Sequence, residues 1–418
     1  MLRKLLAHRL SRNAGALALL QLISYVTPVL VLLQLTRVLG IELFGILAFG
    51  VAATQFSYNL LDFGFILSAT QKIAECRENK GYVARLIGAI FAIKAAALVL
   101  VASAIVLYVV SSATYREYLD FFLLGLVPLS ALCFLPTWFF TGIERMFYIT
   151  AFTIVSKLLY LLMIFVFVRS AADFLWVPIA DGISQTVGTA IAIFLIYRSG
   201  YFIGRPRLRD ILYAIRLTRG FFLSRLAANL YGGGGVVLLG LFGTPATTAV
   251  YSIAERFYHA MQQVFSPIFG AIYPYMARER NIRLLMKIAV GCILAAVVVG
   301  LVFVLAGPHI IQRWLGPGWS ESIPLLGVFA LAIVVNVTLG MSGYPLSAIL
   351  GTMREANLSV VWGALLYGLC AALIVATGHV TAFAFAWTLC LTELSILVYR
   401  AIMLWPKAYR LLSQSRPA

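Results

Sequence analysis

The residues of this chain most able to do chemistry are charges placed where lipid would not tolerate them. Lys94, Lys157 and Arg256 each lie about two to three turns inside an apolar stretch. A charge at a helix centre costs about 2.5–3.5 kcal/mol on insertion scales, so a bundle interior or a watery cavity is expected for all three. Arg225 sits only about a turn from the end of its stretch and can snorkel to the interface. The acids in the same kind of position are Asp62, Asp181, Glu255 and Glu393, and buried carboxyls of this sort relay protons or hold cations. Four cations against four acids leave the interior formally balanced.

Spacing decides which of these can meet. Asp62 and Lys94 differ in expected depth by roughly 5 Å at 1.5 Å of rise per residue, so a structural pair and direct handling of substrate or protons both remain open. Glu255 and Arg256 are consecutive and point about 100° apart on a helix, whereas Glu255 and His259 are one turn apart and can interact. His259 adds a group that titrates near neutrality when unperturbed. The run YSIAERFYHAMQQ over residues 251–263 is polar for a span and fits a helix lining a wet cavity.

The elements that must position these residues are membrane helices. The 418 residues are 62% hydrophobic and 11% charged, with a mean hydropathy of +0.97, which excludes a soluble core. About 20 apolar residues cross a bilayer. Such stretches are expected at 14–36, 44–69, 83–110, 120–140, 148–168 and 175–197, then at 221–243, 248–275, 288–307, 322–350, 357–377 and 381–404. The fold class expected is therefore an all-α integral membrane protein of about twelve transmembrane helices in two six-helix bundles. Residues 1–197 form the N-terminal bundle, 198–219 a basic linker, 220–404 the C-terminal bundle and 405–418 a tail.

The net charge of +17 invites a nucleic-acid reading, but its placement opposes one. Of the 32 Lys and Arg residues, 24 fall in the terminal segments and joints of one side, against only Arg37, Arg116, Arg169 and Arg313 on the other. The positive-inside rule then places both termini in the cytoplasm. The linker, with Arg205, Arg207 and Arg209 ahead of ILYAIRL, resembles an interfacial helix held at anionic headgroups.

A gapless shift of 203 residues sets Gly40 on Gly243, Ala74 on Ala277 and Arg77 on Arg280, a weak repeat of the parallel kind. Pro28, Pro128, Pro136, Pro178, Pro267, Pro274 and Pro345 and the run Gly232 to Gly235 offer kinks or hinges. The glycine run lacks the strand, Lys and Ser/Thr context of a phosphate loop. Cys76, Cys133, Cys292, Cys370 and Cys390 form no CxxC pair and read as packing residues. The basic start followed by a long apolar run with Pro28 reads as an uncleaved first span. No HExxH or GxSxG motif is present, and the longest outer joint, 309–321, is short for a polymerase or ligase. No enzyme, cofactor or metal centre is expected.

Four stretches carry a family resemblance: LTRVLGIELFGILAFG (35–50), FGFILSATQKIAE (63–75), LPTWFFTGIERM (135–146) and SPIFGAIYPYMARE (266–279). With them the chain resembles the Wzx-type O-antigen flippases, in the polysaccharide transporter branch of the MATE-like superfamily. The resemblance implies two six-helix bundles around a central cavity in a bacterial inner membrane. It implies translocation of an undecaprenyl pyrophosphate-linked oligosaccharide from the cytoplasmic to the periplasmic leaflet by alternating access. Lys94, Lys157, Arg256 and Arg225 are then candidates for the diphosphate. Asp62, Glu255, Glu393, Asp181 and His259 are candidates for ion coupling. Membrane lipids, an O-antigen polymerase and a chain-length regulator become expected partners. A MATE-type drug or cation antiporter is the alternative, and the buried Lys and Arg residues count against it.

Overall fold

The computed structural model describes the backbone of residues 2–414 and the side chains of 26–218, 229–404 and 406–411. The regular elements within it are helices. By contacts the chain divides into two compact units: Met1–Gly40 with Ala53–Leu223, and Ile41–Ala52 with Ser224–Ala418.

The first unit takes in most of α1 (Leu2–Asp62), α2 (Phe65–Cys76), α3 (Lys80–Ser111), α4 (Leu119–Cys133), α5 (Thr137–Gly142), α6 (Met146–Phe167) and α7 (Trp176–Arg198). Breaks fall where the backbone cannot continue. At Phe63 and Gly64 φ is 54° and 83°, which ends α1 and starts α2 in a new direction. Pro136, without an N–H, separates α4 from α5. Asn79 caps α3 by accepting the Tyr82 N–H at 3.0 Å. The core joins Phe65, Ile73, Ile87, Ile90, Trp138, Phe139, Phe140, Phe152 and Ile196. Leu100 and Leu107, each 73% exposed, are of the kind that faces lipid.

The segment after α7 is tied down. The Gly204 N–H donates to the Ala84 carbonyl of α3 at 2.9 Å, and a Cβ on Gly88 would collide with the Gly204 carbonyl. Two glycines let the strap lie directly on the helix. It leads into α8 (Leu208–Phe242).

The second unit continues through α9 (Pro245–Glu279), α10 (Ile282–Ile310), α11 (Ile323–Ser342), α12 (Tyr344–Leu350), α13 (Met353–Ala376) and α14 (Ala382–Gln414). Thr244 and Thr247 form a reciprocal cap at the start of α9, and Asn281 caps α10 through the Leu284 N–H at 3.0 Å. Residues 41–52 belong here because α1 leaves helical geometry at Gly40, with φ 71° and ψ 176°. Beyond it Phe44, Ile46 and Phe49 are buried, with Phe44 edge-to-face on Trp319 at 5.1 Å. Gly45 lies against the Pro245 backbone so closely that no Cβ would fit.

Among the described residues nine helical segments are long and apolar enough to span a bilayer. Val26–Cys76 covers two of the expected spans, and Asn229–Phe242 is a shorter apolar segment. The expected span at 248–275 is helical throughout, but its polar run keeps it from the apolar set. The chain is an all-α multi-pass membrane protein.

Candidate functional site

In the first unit Lys94 and Asp62 meet. Lys94 Nζ lies 3.5 Å from Asp62 Oδ1, while Asp62 Oδ2 accepts the Ile66 N–H of α2 at 3.2 Å. The Lys94 carbonyl accepts the Cys133 thiol at 3.7 Å. Lys94 is 1% exposed, so the ammonium is enclosed by protein. The carboxylate stitches the α1–α2 break while its charge is answered from α3.

Lys157 of α6 is half-buried and makes no ion pair among the described residues. Asp181 on α7 is also half-buried and accepts Gln185 Nε2 at 3.2 Å. Neither is brought to the Lys94 pair by any hydrogen bond or ion pair among the described residues.

In the second unit Glu393 of α14 is 2% exposed. Its Oε1 accepts from Tyr258 Oη and from Asn336 Nδ2, each at 2.7 Å. Its Oε2 is buried with no partner among the described residues. Phe329 walls this side, stacked on Tyr258 at 5.3 Å and edge-on to Tyr251 at 5.7 Å. One turn before Tyr258 on α9, Glu255 lies near Tyr251, Arg256, His259 and Tyr367. The Tyr367 hydroxyl is buried and unpartnered among the described residues. The His259 ring pairs through Nδ1 with Gln262 Oε1 at 2.9 Å. Arg256 stands 6.0 Å from the Phe44 ring centre, a cation–π distance. The Arg225 side chain lies outside the described residues.

One buried cation escapes sequence reading. Arg400 is 8% exposed; its Nε donates to Ser359 Oγ at 2.8 Å and its Nη1 to the Leu339 carbonyl at 2.7 Å. The charge count takes it with the cations of the C-terminal end, although it lies inside the expected span 381–404. Its signal was the spacing from Glu393: seven residues put both on one face of α14, roughly 10 Å apart.

The site chemistry is thus split by unit. The first holds a closed Lys–Asp pair and, among the described residues, a lysine with no ion pair. The second holds two carboxyls among tyrosines, one arginine beside a glutamate and over an aromatic ring, and one arginine on neutral oxygens.

The chain is 27% identical over 331 residues, 77% of its length, to a protein of Escherichia coli (strain K12) named "Putative O-antigen transporter", 79% of which is covered. A Shigella dysenteriae protein of the same name is 26% identical over 350 residues, 81% of this chain and 86% of that one. Among solved structures, the lipid II flippase MurJ in an inward closed conformation matches with a TM-score of 0.74 at 10% identity, covering 92% of this chain and 87% of that one. An inward-facing multidrug resistance MATE family transporter matches at 0.66 and 13% identity, over 93% and 96%. These likenesses fix the fold. Residues 10–279 match the profile described as "Polysaccharide biosynthesis protein". That match takes in every one of the stretches quoted above for the family resemblance and covers well over half of the chain, which therefore belongs to the polysaccharide biosynthesis protein family.

Proposed function

We propose that this chain is a flippase that moves a polyprenyl pyrophosphate-linked oligosaccharide from the cytoplasmic to the periplasmic leaflet of a bacterial inner membrane by alternating access. The observation that carries the reading is the likeness to proteins named O-antigen transporters across 79% and 86% of their length. The ionisable groups held inside the spans add a physical rationale, since a diphosphate crossing a bilayer needs cations and any ion coupling needs carboxyls.

Within this reading Lys157, Arg256 and Arg225 are each candidates to meet the diphosphate on its way across. Lys94 serves the break beside Asp62. Glu393 carries the coupling ion, because one oxygen is anchored while the other is free to take a proton; Glu255, Asp181 and His259 are secondary candidates. The division into 1–197, 198–219, 220–404 and 405–418, with both termini cytoplasmic, belongs to the same proposal. So does hand-over of the product to an O-antigen polymerase and chain-length regulator.

Reconstituted vesicles loaded with a fluorescent lipid-linked saccharide test it. Lys157→Ala with Arg256→Ala is expected to slow translocation at least tenfold, and normal translocation in that variant would sink the cation assignment. The MATE-type fold and the carboxyls of the second unit favour one other reading, a cation antiporter. Efflux of a cationic dye from the same vesicles, with no movement of the saccharide lipid, would establish that reading instead.

A further inference from the structure

We propose that residues 205–216 form a docking surface for the anionic phospholipids of the surrounding leaflet, built as a rigid three-faced element. The start of α8 shows the faces. Side chains advance by about 100° per residue, so Ile211, Ala214 and Thr218 share a side, and this side is packed inward. Ala214 and Thr218 are fully buried, and Ile211 packs on the first unit's core. The next side carries Leu208, Leu212 and Ile215, which are 71%, 45% and 39% exposed. The side after that carries Arg209 and Arg216, both exposed, with exposed Arg205 and Arg207 just ahead of the helix.

An apolar stripe flanked by an arginine stripe is what a helix lying in a headgroup layer presents. The charge complement is specific to an anionic partner. Against these four arginines the segment from 198 to 218 holds a single acid, Asp210, and that carboxylate is already engaged. It accepts the Arg207 N–H at 2.9 Å and sits 3.9 Å from Arg85 Nε. Arg205, Arg209 and Arg216 form no ion pair among the described residues.

The surface is also preformed. The Gly204–Ala84 hydrogen bond holds the strap on α3, Tyr201 Oη donates to the Arg77 carbonyl at 2.9 Å, and Arg145 Nη1 donates to Ser199 Oγ at 3.2 Å. Little ordering entropy is lost when lipid arrives.

The full-length protein in neutral detergent, titrated with phosphatidylglycerol, phosphatidylcholine or inorganic phosphate and read by native mass spectrometry, tests the surface. A basic residue at a headgroup layer contributes about fivefold in affinity. The triple variant Arg205→Gln, Arg209→Gln, Arg216→Gln should therefore bind phosphatidylglycerol on the order of a hundredfold more weakly, with phosphatidylcholine binding unchanged. A control removing Arg278, Lys287 and Arg354, also to Gln, should keep the parent affinity. If the triple variant does not fold, the single variants Arg209→Gln and Arg216→Gln carry the test, each at about fivefold. The proposal fails if the triple or the single variants bind phosphatidylglycerol like the parent. It fails if phosphatidylcholine is lost in parallel, which leaves only an apolar contact, or if inorganic phosphate displaces the lipid, which makes the site a phosphate pocket rather than a bilayer dock.

Discussion

Asp62 and Lys94 show what a buried ion pair does here: the carboxylate holds the Ile66 N–H in the first turn of α2, and the ammonium neutralises it from α3. Removing one partner strands the other. Lys94→Met or Asp62→Leu alone is expected to destabilise the detergent-solubilised protein by about 3–5 kcal/mol, while the double variant recovers most of that loss; unfolding midpoints of the three variants check this. Glu393 makes a different prediction. Glu393→Gln keeps an oxygen for Tyr258 and Asn336 but loses the capacity to ionise. The expected outcome is a folded protein whose transport no longer responds to an imposed ion gradient, and an undiminished response in vesicles would remove Glu393 from the coupling role. Asp173, in the joint after α6, titrates in a simpler setting. Hydrogen bonds from Ser170 Oγ and from the Ser170 and Arg169 N–H groups hold its carboxyl below the usual carboxylate range. Its cap is therefore complete at and above that range and is lost as pH falls through the lowered value. Amide exchange at Arg169 and Ser170 should accelerate only below the pH at which a free aspartate protonates.

At the scale of elements, the two halves share a device. In each, the fourth span is broken, and the sixth reaches across to satisfy a carbonyl freed before the break. Thr189 of α7 donates to the Ala131 carbonyl at 2.9 Å, and Arg400 of α14 donates to that of Leu339. One plug is neutral and the other charged. Arg400→Met should cost about 1–3 kcal/mol, because it leaves the Leu339 carbonyl only the long 3.4 Å bond from Ser342 Oγ, and Thr189→Val should cost less; thermal melts rank them. The spans themselves were legible because a 20-residue apolar run has few other uses. The breaks were legible only in part. Pro136 and Pro345 flag the interrupted fourth spans, but nothing in the local sequence says that Phe63 and Gly64 adopt left-handed backbone or that a side chain about two hundred residues from its counterpart repeats the same cap. The charges within the spans could be counted in the sequence, but which of them pair could not be read there, since pairing depends on helix rotation that composition does not encode.

For the whole molecule, the proposed cytoplasmic placement of both termini is checked by labelling single cysteines in a cysteine-free background. A probe that cannot cross the membrane should reach Ser170→Cys and Gly318→Cys in intact cells, and Ser199→Cys and Arg354→Cys only after permeabilisation; the reverse pattern would invert the topology. The two-bundle plan was visible in the sequence from the twelve apolar runs and the basic joint between them. What no pattern announced is that contacts gather residues 41–52 with the second unit. That allocation bears on how the gene could be divided. A polypeptide beginning near residue 201 would carry most of the strap and everything after it yet lack the stretch that Trp319, Gly240 and the Pro245 backbone pack against. Expressed alone it should be degraded, and a companion fragment ending near residue 200 should rescue it in trans only while that fragment retains Phe44, Gly45 and Phe49.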